Sequence, residues 1–132
     1  MAKRINAIKA FMPQIELNQT IKVEELTQYI SRGTNLNPSE IKFMLDELSD
    51  AILFFTSRGQ PVKLKGLGTF TPGIRLNGEF TLNVRIDRDL VKGLNTPDAF
   101  KGRIRNRHNM GKSGEDLVHQ WNQDNPDDPV PD

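Results

Sequence analysis

The chain is predicted to be α+β: a helical hairpin packed on a small antiparallel β-sheet, with a short helix near the C-terminus. Three observations predict it. A long apolar run from Asn37 to Arg58 carries three- and four-residue spacing between a capping signal and a glycine. A shorter helical pattern precedes it across the turn Gly33-Thr34-Asn35-Leu36. Phe80 to Ile86 alternates apolar and polar just after Asn77-Gly78, the strongest short hairpin signal.

Composition bounds the answer. With 132 residues and no cysteine, the chain is one domain, or one domain with appendages, and holds no disulfide or zinc framework. No apolar run approaches the ~20 residues of a membrane span. Lys3-Arg4 leads into Ile5 to Met12, but Asn6 and Lys9 interrupt the apolar part, so this is neither a signal peptide nor an anchor. A cytoplasmic protein is the expectation. The formal net charge of +1 hides an uneven distribution. Residues 1–60 balance seven basic against seven acidic, residues 61–109 carry a net of +6, and residues 110–132 a net of −5.

The elements follow in order. In residues 1–18, Ile5, Ile8 and Phe11 have helical spacing, whereas Pro13 and the short length fit an extra strand; the strand is the expectation. Gln19 to Arg32 reads as the first helix, with Val23, Leu26, Tyr29 and Ile30 apolar and Glu24 and Glu25 near its positive end. Asn37 then caps the long helix, Pro38 suits its first position, and Glu40 completes a capping box. Ile41, Met44, Leu45, Leu48, Ile52 and Phe55 form its stripe, and Gly59 ends it as a C′ glycine. Phe43, Ala51 and Phe54 widen the stripe beyond what one small sheet covers. One side therefore faces the core and the other a second subunit, with Phe43, Leu48, Ile52, Phe54 and Phe55 as interface candidates. Val62 to Lys65 and Gly68 to Arg75 are the next strands, and Leu76-Asn77-Gly78-Glu79 turns into Phe80 to Ile86. Asp87 caps a short helix carrying Leu90, Val91 and Leu94. Ser113-Gly114-Glu115-Asp116 starts another with Leu117, Val118 and Trp121 on one side, and Asn125 to Asp132 reads as an extended or disordered end.

A long helix, a glycine, a short strand and the turn Gly66-Leu67-Gly68-Thr69-Phe70 together resemble the HU and integration host factor family of small bacterial, histone-like DNA-bending proteins. The resemblance covers Thr20 to Arg75 well. It implies an intertwined homodimer, a nucleoid-associated location and DNA as the partner. Residues 19–109 would be the HU-like domain, 1–18 an N-terminal segment and 110–132 an acidic helix and tail. In the family a long two-stranded arm leaves the body between the second and third strands, and a wedge near its tip kinks the duplex. Here that arm is replaced by the turn Leu76 to Glu79, without the family's Arg-Asn-Pro motif. Sequence-tolerant backbone binding with little or no intercalative bending is the implied activity.

Lys63, Lys65, Arg75 and Arg85 are the DNA-binding candidates that the resemblance places on the strands and at the root of the arm. Charge alone adds Arg88, Lys101, Arg103, Arg105 and Arg107. The last four fall on alternate residues, so a strand there would align four cations on one face. Such a stripe either contacts phosphates or protects a sheet edge. Two further readings stand beside this one. The scaffold serves as a dimerisation or protein-interaction module that has lost DNA binding, or the helices and strands form a winged helix-turn-helix. The apolar circumference of the long helix speaks against the latter, since a recognition helix needs a polar face.

No enzyme is predicted, and neither a cofactor, a metal nor a small-molecule substrate. His108 and His119 are the only histidines and lie in no ligand spacing. Met110-Gly111-Lys112-Ser113 mimics the end of a phosphate-binding loop but lacks its leading glycine, since residue 106 is Asn.

Overall fold

The computed structural model describes residues 2–131; Met1 and Asp132, the outer ends of the first and last expected segments, lie outside the described residues. The chain divides into two compact units. One, the body, is Thr20–Phe100; the other combines Met1–Gln19 with Lys101–Asp132.

The body opens with α2 (Val23–Arg32) and α3 (Pro38–Thr56), following α1 (Arg4–Phe11) and β1 (Gln14–Glu16) of the terminal unit. Helix α2 starts four residues later than the periodicity predicts. Lys22 sits at its N-cap with no side-chain bond, so residues before Val23 have nothing to hold a first turn. Ser31 Oγ donates to the Leu36 carbonyl at 2.8 Å and Thr34 Oγ1 to that of Ile30 at 3.1 Å, tying down the turn. Helix α3 has the predicted capping box: Glu40 N–H donates to Asn37 Oδ1 at 2.9 Å, and Asn37 N–H to Glu40 Oε2 at 3.4 Å. Its far end closes as a Schellman motif, with Gln60 N–H to Phe55 O at 3.1 Å and Gly59 N–H to Thr56 O at 3.0 Å. Gly59 takes φ +77° there, which a side chain would resist.

Strands β2 (Val62–Leu64), β3 (Gly68–Ile74) and β4 (Phe80–Ile86) form an antiparallel sheet in that order. Arg75 to Glu79 makes the hairpin, with Arg75 N–H donating to Glu79 O at 2.9 Å and Glu79 N–H to Asn77 Oδ1 at 2.9 Å. Alternation gives the sheet two unlike faces. Val62, Leu64, Phe70, Pro72, Ile74, Phe80, Leu82, Val84 and Ile86 share the apolar one. Helix α3 packs on β2 and β3, so Val62, Leu64 and Phe70 are half-buried, but the β4 side chains remain open, Phe80 by 81 %. Helix α4 (Arg88–Asn95) buries none of its residues and exposes Leu90, Val91 and Leu94. The enclosed interior of the body is small: Ile41, Thr27, Thr56 and the backbone at Gly68.

The terminal unit corrects two expectations. Residues 4–11 are helical, not a strand: the helix buries Ala7 with Ile8 and Phe11 packed beside it, leaves Ile5 exposed, and ends at Met12 before Pro13. Only β1 extends, and it pairs with β5 (Arg103–Arg105). The second correction concerns the tail, which is folded. In α5 (Gly114–Asp124) Trp121 Nε1–H donates to Asp128 O at 2.8 Å, and Val130 N–H donates to Asn122 Oδ1 at 2.7 Å. Val130 is buried against Ala7 and Val118, and Ala2 N–H reaches Pro129 O at 3.2 Å. The predicted Ser113–Asp116 capping box opens α5, and Phe11 meets Trp121 edge to face at 6.4 Å.

Residues 101–109 associate with these segments. Beyond the β1–β5 ladder, Asn106 and Asn109 of the 3-10 turn Arg107–Asn109 region cap the C-terminus of α1. Asn106 Nδ2 donates to the Ala10 and Met12 carbonyls, each at 3.1 Å, and Asn109 Nδ2 to that of Phe11 at 2.6 Å. These are the carbonyls a helix end leaves without partners.

Candidate nucleic-acid interface

The second face of the body sheet is polar. Lys63, Thr69 and Arg85 form one row across β2, β3 and β4, since Lys63 pairs with Thr69 and Thr69 with Arg85. Thr71 with Asn83 and Gly73 with Thr81 continue it toward the hairpin. At Gly68 the strands come so close that a Cβ would lie 2.6 Å from the Arg85 carbonyl oxygen. Glycine there lets β4 approach and carries Arg85 into the row.

Asp87 ties this end of the sheet to α4. Its Oδ1 accepts from Asp89 N–H at 2.9 Å, its Oδ2 from Gly66 N–H at 3.2 Å, and its own N–H donates to Leu67 O at 2.9 Å. The Asp89 N–H holds the carboxyl below the usual carboxylate range; desolvation opposes this, while Gly66 N–H, Lys63 and Lys92 reinforce it. Around this junction lies a concavity of about 310 Å³ lined by Lys63, Thr69, Arg85, Asp87 and Arg88.

The other sequence-derived candidates fall elsewhere. Lys65 is exposed in the turn between β2 and β3. Arg75 is exposed at the hairpin, where its Nη1 lies 3.5 Å from Glu79 Oε2. Lys101, Arg103, Arg105 and Arg107 are exposed in the terminal unit, yet only Arg103 and Arg105 lie on β5. The four-cation strand is therefore not formed: the ladder is three residues long, and left-handed Asn106 turns the chain into the 3-10 helix before Arg107. Glu16 sits directly across from Arg103. The polar partners Thr69, Thr71, Thr81 and Asn83 escaped the sequence reading. Counting outward from Asn77 of the hairpin pairs Thr69 with Arg85, so the register was available in principle.

On the apolar side, Phe43, Phe54 and Phe55 are exposed, whereas Leu48 and Ile52 are half-buried. Phe54 meets Phe55 edge to face at 5.1 Å, and the Arg58 guanidinium lies 3.6 Å from the Phe54 ring centroid. A groove of about 700 Å³ runs between α3 and the hairpin, walled by Leu53, Pro72, Ile74, Phe80 and Leu82. Among the described residues no group of acids and histidines is arranged to hold a metal, and no helix is long and apolar enough to cross a membrane.

Two packed helices, α2 and α3, with a three-stranded antiparallel sheet that is apolar on one face and polar on the other define a small α+β body. A family model described as an HU domain fused to a winged helix-turn-helix, Ig or glycine-rich motif (HU-HIG) matches residues 2–93. The chain belongs to this HU-related family. No curated protein matches it.

Proposed function

We propose that the protein is an HU-like DNA-binding protein: a homodimer that holds the phosphate backbone of duplex DNA without reading its sequence, with little or no intercalative bending. The observation that carries this reading is the two-faced sheet. Its apolar face and α4 lie uncovered, which suits a second copy, with Phe43, Leu48, Ile52, Phe54 and Phe55 of α3 at the seam. Its outer face offers Lys63, Arg85 and Arg88, with Lys65 and Arg75 at the margins. Lys101, Arg103, Arg105 and Arg107 add a second cationic surface on the terminal unit. Phosphate contacts of this kind position a protein without specifying sequence.

The short connection from Arg75 to Glu79 supports weak bending, because it replaces the long arm with a closed turn. The protein acts by binding and not by catalysis. Both histidines are exposed, and the His119 ring is shared with the Gln123 amide at 3.0 Å. A nucleoid location in a bacterial cytoplasm follows from DNA as partner.

The test is a duplex titration from low to moderate salt together with sedimentation of the free protein. Affinity should fall log-linearly with salt, by about 0.9 in slope for each phosphate neutralised. A monomer, or an affinity indifferent to salt, overturns the proposal. A salt-indifferent dimer instead identifies a protein-interaction module that has lost its DNA.

A further inference from the structure

The cations of the body's polar face gather at one end. Lys63 and Arg85 stand in the same cross-strand row with Thr69 between them. Strand spacing separates their backbones by about 10 Å, so both side chains reach one small anion between them. Arg88, the first residue of α4, lines the same concavity from a third element. All three are exposed, and among the described residues none has a carboxylate within ion-pair distance.

The acid in the wall, Asp87, feels the charge of Lys63 but lies within ion-pair distance of none of the three. Asp87 directs one oxygen to Gly66 N–H and the other to Asp89 N–H, so it braces the concavity from below. The floor at Gly68 is bare backbone, and a methyl group there would strike the Arg85 carbonyl. The result is a hollow of about 310 Å³ with three cations and a hydroxyl converging on it. Extended guanidinium forks and ammonium groups suit tetrahedral oxyanions.

We propose that this hollow is a seat for a single phosphate group, gripped by Lys63, Arg85 and Arg88 with the Thr69 hydroxyl as a fourth donor. The seat rests on the DNA-binding reading for the source of the phosphate, a duplex backbone, but not for its chemistry. Three cations on one phosphate differ from three cations on three phosphates in a measurable way.

The first arm titrates inorganic phosphate into the full-length protein, against chloride at matched ionic strength, and follows backbone amide resonances. Saturable shifts at Gly66 to Thr69 and Asp87 to Asp89, lost in Lys63→Gln, are expected; shifts no different from those with chloride overturn the seat. The second arm measures the salt slope of duplex binding for the single variants Lys63→Gln, Arg85→Gln and Arg88→Gln and for the triple variant. The seat requires the triple variant to lose about 0.9 per protomer, as for one phosphate, and the single variants no more. A loss of about three times that, or none, overturns the seat while leaving DNA binding intact. Lys42→Gln on α3 serves as the control for lost charge and should leave the slope unchanged. If the wild-type protein shows no salt-dependent DNA binding, the DNA reading falls and the phosphate arm alone decides the seat.

Discussion

The two units of this chain solve the burial problem in opposite ways. The terminal unit closes on itself: Ala7 is 0 % exposed, Leu117, Val118 and Val130 are buried, and Asn109 fills the space under the end of α1. The larger body leaves Phe80, Leu82, Val84 and Ile86 on one strand and Leu90, Val91 and Leu94 on α4 in the open. Burying such a side chain contributes about 1.5–3 kcal/mol. A unit with that much apolar surface left over gains stability when something covers it; the smaller unit also leaves Ile5, Ile15 and Leu17 open, but it has an enclosed centre of its own.

The largest expected effect breaks the comparison at the body. In the proposed dimer, Phe80→Asp or Leu82→Asp would place a charge in an apolar seam, so either should abolish self-association and cost the body roughly 3 kcal/mol or more. Sedimentation and denaturant melts at several protein concentrations read it. A wild-type midpoint that does not move with concentration would show that the body stands alone. Next, Gly68→Ala should destabilise the body by about 1–3 kcal/mol through its contact with the Arg85 backbone. Of similar or smaller size, Val118→Ala should cost about 1–2 kcal/mol, felt only in the terminal unit. Amide exchange should show the α1–α5 protection lost while the sheet keeps its own; loss in both would merge the two units into one.

The smallest effects concern acid and the hairpin tip. The Asp87 carboxyl is held below its ordinary value, near 3.8, so its contribution is fully present above that value and drains away as pH falls through the lowered one. Asp87→Asn should flatten that acid limb of the stability curve, and an unchanged limb would assign it to other carboxylates. Leu76 stands fully exposed at the hairpin turn. With the turn so short, Leu76→Ser should leave the end-to-end distance of a bound labelled duplex unchanged; a straighter duplex would reveal a wedge there.

Much of the body was legible because its signals are local. The Asn37–Glu40 box, the Gly59 closure, the Asn77-Gly78 hairpin and the Asp87 cap each depend on residues within a few positions of one another. In the terminal unit only the Ser113–Asp116 box and the helix it opens were legible, because the rest depends on distant pairs. Gln14 pairs with Arg105, and Asn109 caps a helix that ends at Phe11; no periodicity joins segments so far apart. The tail looked too polar to fold, yet one valine, one tryptophan and a few backbone bonds hold it. Of the nine cations singled out for DNA, strand register puts Lys63 and Arg85 in one row, and the start of α4 brings Arg88 beside them; charge counting sees neither.

Ala2 and Pro129 are joined by a hydrogen bond, so the polypeptide runs out from one small knot, through the whole of Thr20–Phe100, and back to it. A short peptide linking Ala2 to Val130, with a new opening cut at Gly78 in the exposed turn, should give a permuted form of residues 2–130 with the same fold. In ordinary synthesis the terminal unit closes after the body is made, because residues 101–131 follow Thr20–Phe100 in the chain.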